Sequence, residues 1–311
     1  MRRSLVLLFV LMVLGLVVPA QAENIAVKKI EGGVVVTAGD KPFATYVFQS
    51  GVKPIVWPIL GPTGKEMTRA WPMREGNPDE KTDHVHQRSF WFTHGEVNGI
   101  DFWAETAKVQ GKIEHKELVA AEGGPQGTII TRNAWIGPQD EHVLSDERTL
   151  RFGSDGETRW IDFDITLTAV ADEVKFGDTK EGTFGLRIAE SMRTDRKPAG
   201  KIVTSEGLEN EKAWGQPASW VDYHGQVEGE HLGIAILNHP SSFRYPTGWH
   251  VRTYGLFAAN PFGEGDFRGE KVETAHTLKK GERLALRYRV LLHKGDEKQG
   301  QVAEAFAKYA K

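Results

Sequence analysis

Trp160-Ile161-Asp162-Phe163-Asp164-Ile165-Thr166-Leu167 places an apolar side chain at every second position. Only an extended chain turns that pattern into one dry face and one wet face, because successive strand side chains point to opposite sides. Leu284-Ala285-Leu286-Arg287-Tyr288-Arg289-Val290 repeats the pattern near the other end of the chain. Working outward, Ile25 to Ile30, the Gly32-Gly33 turn and Val34 to Thr37 predict a hairpin. A further strand, Phe43 to Phe48, follows the turn residues Gly39-Asp40-Lys41-Pro42. Strands are also expected over residues 128–135, 142–152, 159–169, 182–189, 233–237, 249–258 and 283–293. Only residues 301–309 carry a helical run, which predicts one short C-terminal helix.

Many short strands split by Gly, Pro and Asp turns predict an all-β antiparallel sandwich. At 311 residues the chain is long for a seven-stranded immunoglobulin-like sandwich, so a larger sandwich of roughly a dozen strands or more is expected. No internal repeat is visible. The polar stretch 194–216 reads as a long loop, leaving residues 23–311 as a single domain.

Residues 1–22 read as a signal peptide. Arg2-Arg3 precedes an apolar run from Leu5 to Val18, and Ala20-Gln21-Ala22 supplies an A-x-A cleavage site. The run is shorter than the roughly 20 residues that a membrane-spanning helix needs. No Cys stands at the cleavage site, so a lipid anchor is excluded and a periplasmic or secreted product without a membrane span is expected. The chain has Lys+Arg 39, Asp+Glu 42 and net charge -3, which argues against a nucleic-acid partner. With no Cys at all, disulfides, thiolate-held metals and a Cys nucleophile are excluded.

Chemistry concentrates in Asp83-His84-Val85-His86-Gln87-Arg88 and the run that follows it to Trp103, which adds His94, Glu96 and Asp101. On a strand, His84, His86 and Arg88 would share one face. Two imidazoles so placed can hold a divalent metal, with His94 as a third ligand, or set an acid and an electrophile against one substrate. A second group is Asn238-His239, then Trp249, His250, Arg252 and Tyr254, the last three at alternating positions. Arg and His on one face require water or a ligand. A third piece holds Arg187 and Glu190, whose spacing puts them on opposite faces of a regular strand. Trp91, Trp103, Trp249 and Tyr254 are candidates to stack on sugar rings, while Arg88, Arg187, Asn238, His239 and Arg252 could hold hydroxyls.

The Asp83 to Trp103 run, Gly185-Leu186-Arg187, Asn238-His239-Pro240 and Tyr245-Pro246-Thr247-Gly248-Trp249-His250 resemble a secreted bacterial family catalogued as PmoA-like. The resemblance covers essentially the whole mature chain. That family's Asp-His-Pro-His-His-Arg stands here as Asp83-His84-Val85-His86-Gln87-Arg88, which keeps His84, His86 and Arg88 and lacks the third adjacent His. Methane oxidation is not expected, since the membrane subunit of that enzyme is built of spanning helices and the mature chain offers none. Residues 278–289 resemble the closing strands of galactose-mutarotase-like sandwiches, which implies that architecture.

Three readings follow. The first is an enzyme acting on a small sugar or oligosaccharide (an epimerase, lyase or glycoside hydrolase). Its catalytic group would be His84, His86, His250 and a carboxylate, Glu190 or Glu96, with His94, Asp101 and the residues above binding substrate. The second is a metal-dependent sandwich enzyme using His84, His86 and His94, or His250 in place of His94, as nitrogen ligands. The third is a non-catalytic carbohydrate-binding protein.

Overall fold

The computed structural model describes residues 23–269 and 274–311; the expected signal peptide lies outside them. β1 (Ile25–Ile30), β2 (Gly33–Ala38), β3 (Lys41–Ser50), β4 (Lys53–Ile59) and β5 (Phe90–His94) start a first sheet. β6 (Lys112–Glu122), β7 (Gly127–Ile136), β8 (His142–Ser154) and β9 (Arg159–Ala169) form a meander in a second. After the short β10 (Glu173–Phe176), the chain returns to the first sheet as β11 (Gly182–Arg187). β12 (Lys201–Thr204), β13 (Trp220–Val227) and β14 (Glu230–Asn238) extend the second sheet, while β15 (Gly248–Val251) and β16 (Leu256–Asn260) complete the first. A one-turn helix α1 (Glu264–Arg268) and β17 (His276–Lys279), which pairs with β10, precede β18 (Arg283–Lys294) and the terminal helix α2 (Val302–Tyr309).

Each large sheet has eight strands. Their orders are β1-β2-β3-β4-β5-β11-β16-β15 and β12-β13-β14-β18-β9-β8-β7-β6, with antiparallel neighbours throughout. The fold is therefore the expected antiparallel sandwich with a short C-terminal helix. Its core lies between the sheets. Phe163 on β9 packs on Phe90 and Phe92 of β5, and Phe184 on β11 stacks on Tyr288 of β18 at 4.4 Å.

The two outer faces are covered differently. On the second sheet, α2 lays Val302, Ala305, Phe306 and Tyr309 on Trp160, Ala235, Leu237 and Leu291. The first sheet is covered over its middle by loops instead. Among the described residues no helix is long and apolar enough to cross a membrane.

Three local expectations change. Residues 249–258 are two strands rather than one, parted by a turn in which Gly255 takes φ +100, a backbone that side chains rarely tolerate. The 194–216 stretch is not all loop, since β12 and a 3₁₀ turn lie within it. His84 and His86 are not on a strand: they sit in an irregular turn before β5, with His84 at φ +46 and Ser89 at φ +54.

Candidate functional site

Alternation along β5 decides what the first sheet shows outward. Phe90, Phe92 and His94 face the core, so Trp91 faces out, where it joins Ile55, Leu256, Ala258 and Trp103 in a small apolar pad. Gly185 on β11 is paired with Trp91, and a Cβ there would stand 2.7 Å from the indole; glycine lets the ring lie across the neighbouring strand. Asp101 builds the loop that brings in Trp103, its Oδ1 accepting from the Trp103 and Ala104 amides at 2.7 and 2.9 Å.

On this pad stands a row of rings. Trp103 lies 6.3 Å from His86 and 6.4 Å from His250, the latter nearly parallel. His86 is 5.8 Å from His84, which stacks on Tyr254 at 5.2 Å. Trp214 meets His250 edge-on at 4.9 Å and carries the Arg252 guanidinium over its face at 4.4 Å. The expected gathering of His84, His86, His250, Arg252 and Tyr254 is thus present, although turns rather than one strand bring it about.

Two ionic frames hold the row. On one side Arg69, fully buried, donates to Asp83 at 2.8 Å and to the Asp83 and His84 carbonyls, pinning the histidine turn to the sheet. Arg187 donates to Gln87 at 2.6 Å and to Glu190 at 3.1 Å, and spreads its cation over Tyr254. On the other side Glu105 accepts two bonds from Arg88, both 2.7 Å, and one from the buried Lys53 at 2.9 Å. Such bidentate guanidinium pairs fix geometry as well as charge.

The frames and the pad set the protonation states. Burial pulls His250 down to about 3, and its Nδ1–H donates to the Lys180 carbonyl at 2.7 Å, leaving Nε2 as an acceptor. Burial, with the Lys53 and His84 charges behind it, lowers His86 to about 4. Both imidazoles are therefore neutral at pH 7. Burial pushes Asp83 up, yet its hydrogen bonds from Arg69 and His84 outweigh that and hold it at about 2. Lys53 is lowered by burial to about 8. Glu181 moves the other way: burial raises it above the usual carboxylate range, although Lys180 stands 3.6 Å away. Glu181 stands one residue after Lys180, whose carbonyl accepts from His250.

Several expected site residues belong elsewhere. His94 has the parity of Phe90 and Phe92, lies wholly buried against Phe176 and Phe262, and donates from Nε2 to the Gly177 carbonyl at 2.9 Å. It cannot join His84 and His86 as a third metal ligand. Trp249 faces the core and donates to the Ala218 carbonyl; Trp103 is 1% exposed and forms the floor of the site rather than a sugar contact. Asn238 and His239 lie at the end of β14 in the other sheet, where Asn238 accepts from the Thr247 amide and His239 packs on Tyr309. Glu96 is exposed beyond β5, with its carboxylate over Gly177, away from the row of rings.

Glu190 reaches Arg187 after all, because it opens a 3₁₀ turn directly after β11. Its second oxygen takes a 2.6 Å bond from Arg193. With both oxygens held by guanidinium groups, it is a strut. Sequence reading passed over Lys53, Glu105, Glu181 and Trp214. No motif marks them, since each arrives from a separate loop or strand end.

No curated protein matches the chain. Among solved structures it is similar to a β-arabinopyranosidase, at 12% identity and TM-score 0.39, over 86% of this chain and 40% of that one. It is similar to the GH36 alpha-galactosidase AgaB from Geobacillus stearothermophilus, at 11% identity and TM-score 0.40, over 90% and 41%. A third is a putative aldose 1-epimerase from Escherichia coli K12, at 10% identity and TM-score 0.31, over 87% and 99%. The chain thus spans about two fifths of the length of the two glycosidases. None of these matches carries the PmoA-like name. Residues 33–307 match the model of a family of unknown function, DUF6807, and the chain belongs to that family.

Proposed function

We propose that the chain is an exported carbohydrate-active enzyme that moves protons at a bound sugar or glycoside across the row from His250 to Tyr254. The observation that carries the reading is the gathering of three imidazoles and a tyrosine on one face of the sheet, with Glu181 next in sequence to the residue whose carbonyl holds His250. His86 and His250, neutral, serve as proton acceptors or as uncharged hydrogen-bond partners. Glu181, which burial makes reluctant to ionise, serves as the donor carboxyl that Glu190 and Glu96 do not supply. Asp83 sits 3.2 Å from His84 Nδ1 and orients that ring. Tyr254, with His84 stacked on its ring and the Arg187 cation over it, props the row rather than offering a platform for a sugar, while Arg252 offers a guanidinium for hydroxyl or carboxylate groups.

A neighbouring cavity of about 230 Å³ is lined by Arg244, Asn260, Glu264 and Phe267. Phe267 touches both Trp214 and His250, so a second sugar unit could extend into it from the row.

The test is a panel of free sugars and glycosides followed by NMR, which reads anomer exchange, epimerisation, elimination and hydrolysis in one experiment. The protein is expressed with its own residues 1–22, and the exported form is expected to begin at Glu23. Glu181→Gln and His86→Ala should each lower turnover by roughly 100-fold or more while binding survives. Turnover that is unchanged in both variants would refute the assignment. Binding without turnover in the wild type would instead favour the non-catalytic reading.

A further inference from the structure

On the far side of the molecule, β13 places Asp222 and His224 on the outer face of the second sheet, two residues apart. The chain leaving β18 toward α2 brings Glu297 over them. His224 Nδ1 stands 2.6 Å from Asp222 Oδ1 and 3.8 Å from Glu297 Oε2, and one ligand atom from each residue falls within 4.8 Å of the others. Among the described residues this is the one place where three such side chains converge. We propose that Asp222, His224 and Glu297 form a site for a zinc-type divalent cation that fastens the C-terminal segment to the second sheet.

Three observations support it beyond proximity. The Glu297 side chain is 15% exposed, yet no described residue donates a hydrogen bond to it; the single Nδ1 proton of His224 is already committed to Asp222. A mostly buried carboxylate without a donor is costly unless something positive meets it. Next, Asp222 is backed by His293, wholly buried, which donates from Nε2 to the other carboxylate oxygen at 2.7 Å. Ligating carboxylates are commonly held by such outer hydrogen bonds. The support is built in: a Cβ at Gly233 or at Gly300 would collide with the His293 ring, so two glycines are needed to seat it. Finally, Asp222 and Glu297 bring two carboxylates to one point beside the single imidazole of His224. One nitrogen and two oxygen donors suit zinc better than the all-oxygen shells of calcium or magnesium.

The site is separate from the row of rings, and its test separates the two. Protein freed of metal with a chelator is titrated with zinc chloride by calorimetry, and with cobalt(II) for its visible d–d bands. One equivalent should bind, and at 100 times the Kd the melting temperature should rise by about 5 °C or more. Glu297→Gln, at the rim, should stay folded without metal and bind roughly 10-fold or more weakly; His224→Ala should lose the cobalt spectrum. His86→Ala should bind as the wild type does. No saturable binding to the wild type would overturn the proposal, as would binding lost in His86→Ala and kept in Glu297→Gln.

Discussion

The molecule carries two groups of histidines on its two outer faces, and they are built on opposite principles. Around His86 and His250 the surroundings are aromatic and cationic: Trp103, Trp214, Arg252 and Lys53. Burial there strips the proton. Around His293 a carboxylate sits in contact; burial works against its charge, and Asp222 more than restores it, so its pKa is raised. Equal burial thus gives a neutral ring or a charged one according to what the second nitrogen faces. The neutral pair is suited to exchanging protons with a ligand, and the charged pair to holding the fold together.

The largest expected effect breaks the charged group. Asp222→Ala leaves His293 buried without a partner and should cost about 3–5 kcal/mol in urea unfolding of metal-free protein. The cost should depend on pH. His293, raised above 6.5, contributes fully below that value and loses its contribution as pH rises through its folded pKa. Asp222, lowered below 3.8, contributes above that value and loses its share as pH falls through its folded pKa. The difference between wild type and variant should therefore be greatest from about pH 4 to 6.5. A difference that is flat from pH 4 to 9 would show that packing, not charge, carries it.

How far the sequence showed these two faces depends on burial. β9 and β18 alternate because one side of each is wet, and their bounds could be read directly. Phe90-Trp91-Phe92-Thr93-His94 is buried on both sides, so β5 shows no alternation, and its parity, which sends His94 inward and Trp91 outward, stayed hidden. His84 and His86 stood out by density, yet their positive-φ turn could not be foreseen without the Arg69 clamp that holds it. Asp222-Tyr223-His224 carries the same two-residue spacing as His84-Val85-His86, and on a true strand. It lacked only local company, because His293 and Glu297 come from 70 residues or so further along the chain.

A change of middle size tests the pad under the neutral group. Gly185→Ala forces a methyl against Trp91, and an overpacked site of this kind should lose about 1–3 kcal/mol. If the rings are a single packed row, the same variant should also change the NMR signals of His86 and His250 while leaving those of His224 and His293 in place. Shifts in both sets would mean that the two faces are coupled through the core. No shift in the first set would separate the pad from the site it is said to support.

The smallest effect concerns His250 alone. Its pKa falls from 6.5 to about 3 on folding, so between those values the unfolded chain takes up a proton that the folded one refuses. Stability should then decline as pH drops below 6.5, by about 1 kcal/mol from pH 7 to pH 5.5 for this one ring. His250→Gln has no such proton to take up. Urea curves should therefore show the wild type losing about 1 kcal/mol relative to the variant between pH 7 and pH 5.5, whatever their difference at pH 7. Parallel curves would mean that the His250 ring protonates in the folded state. In that event His250 would resemble His293 in holding its charge, and the contrast between the two faces would rest on His86 alone.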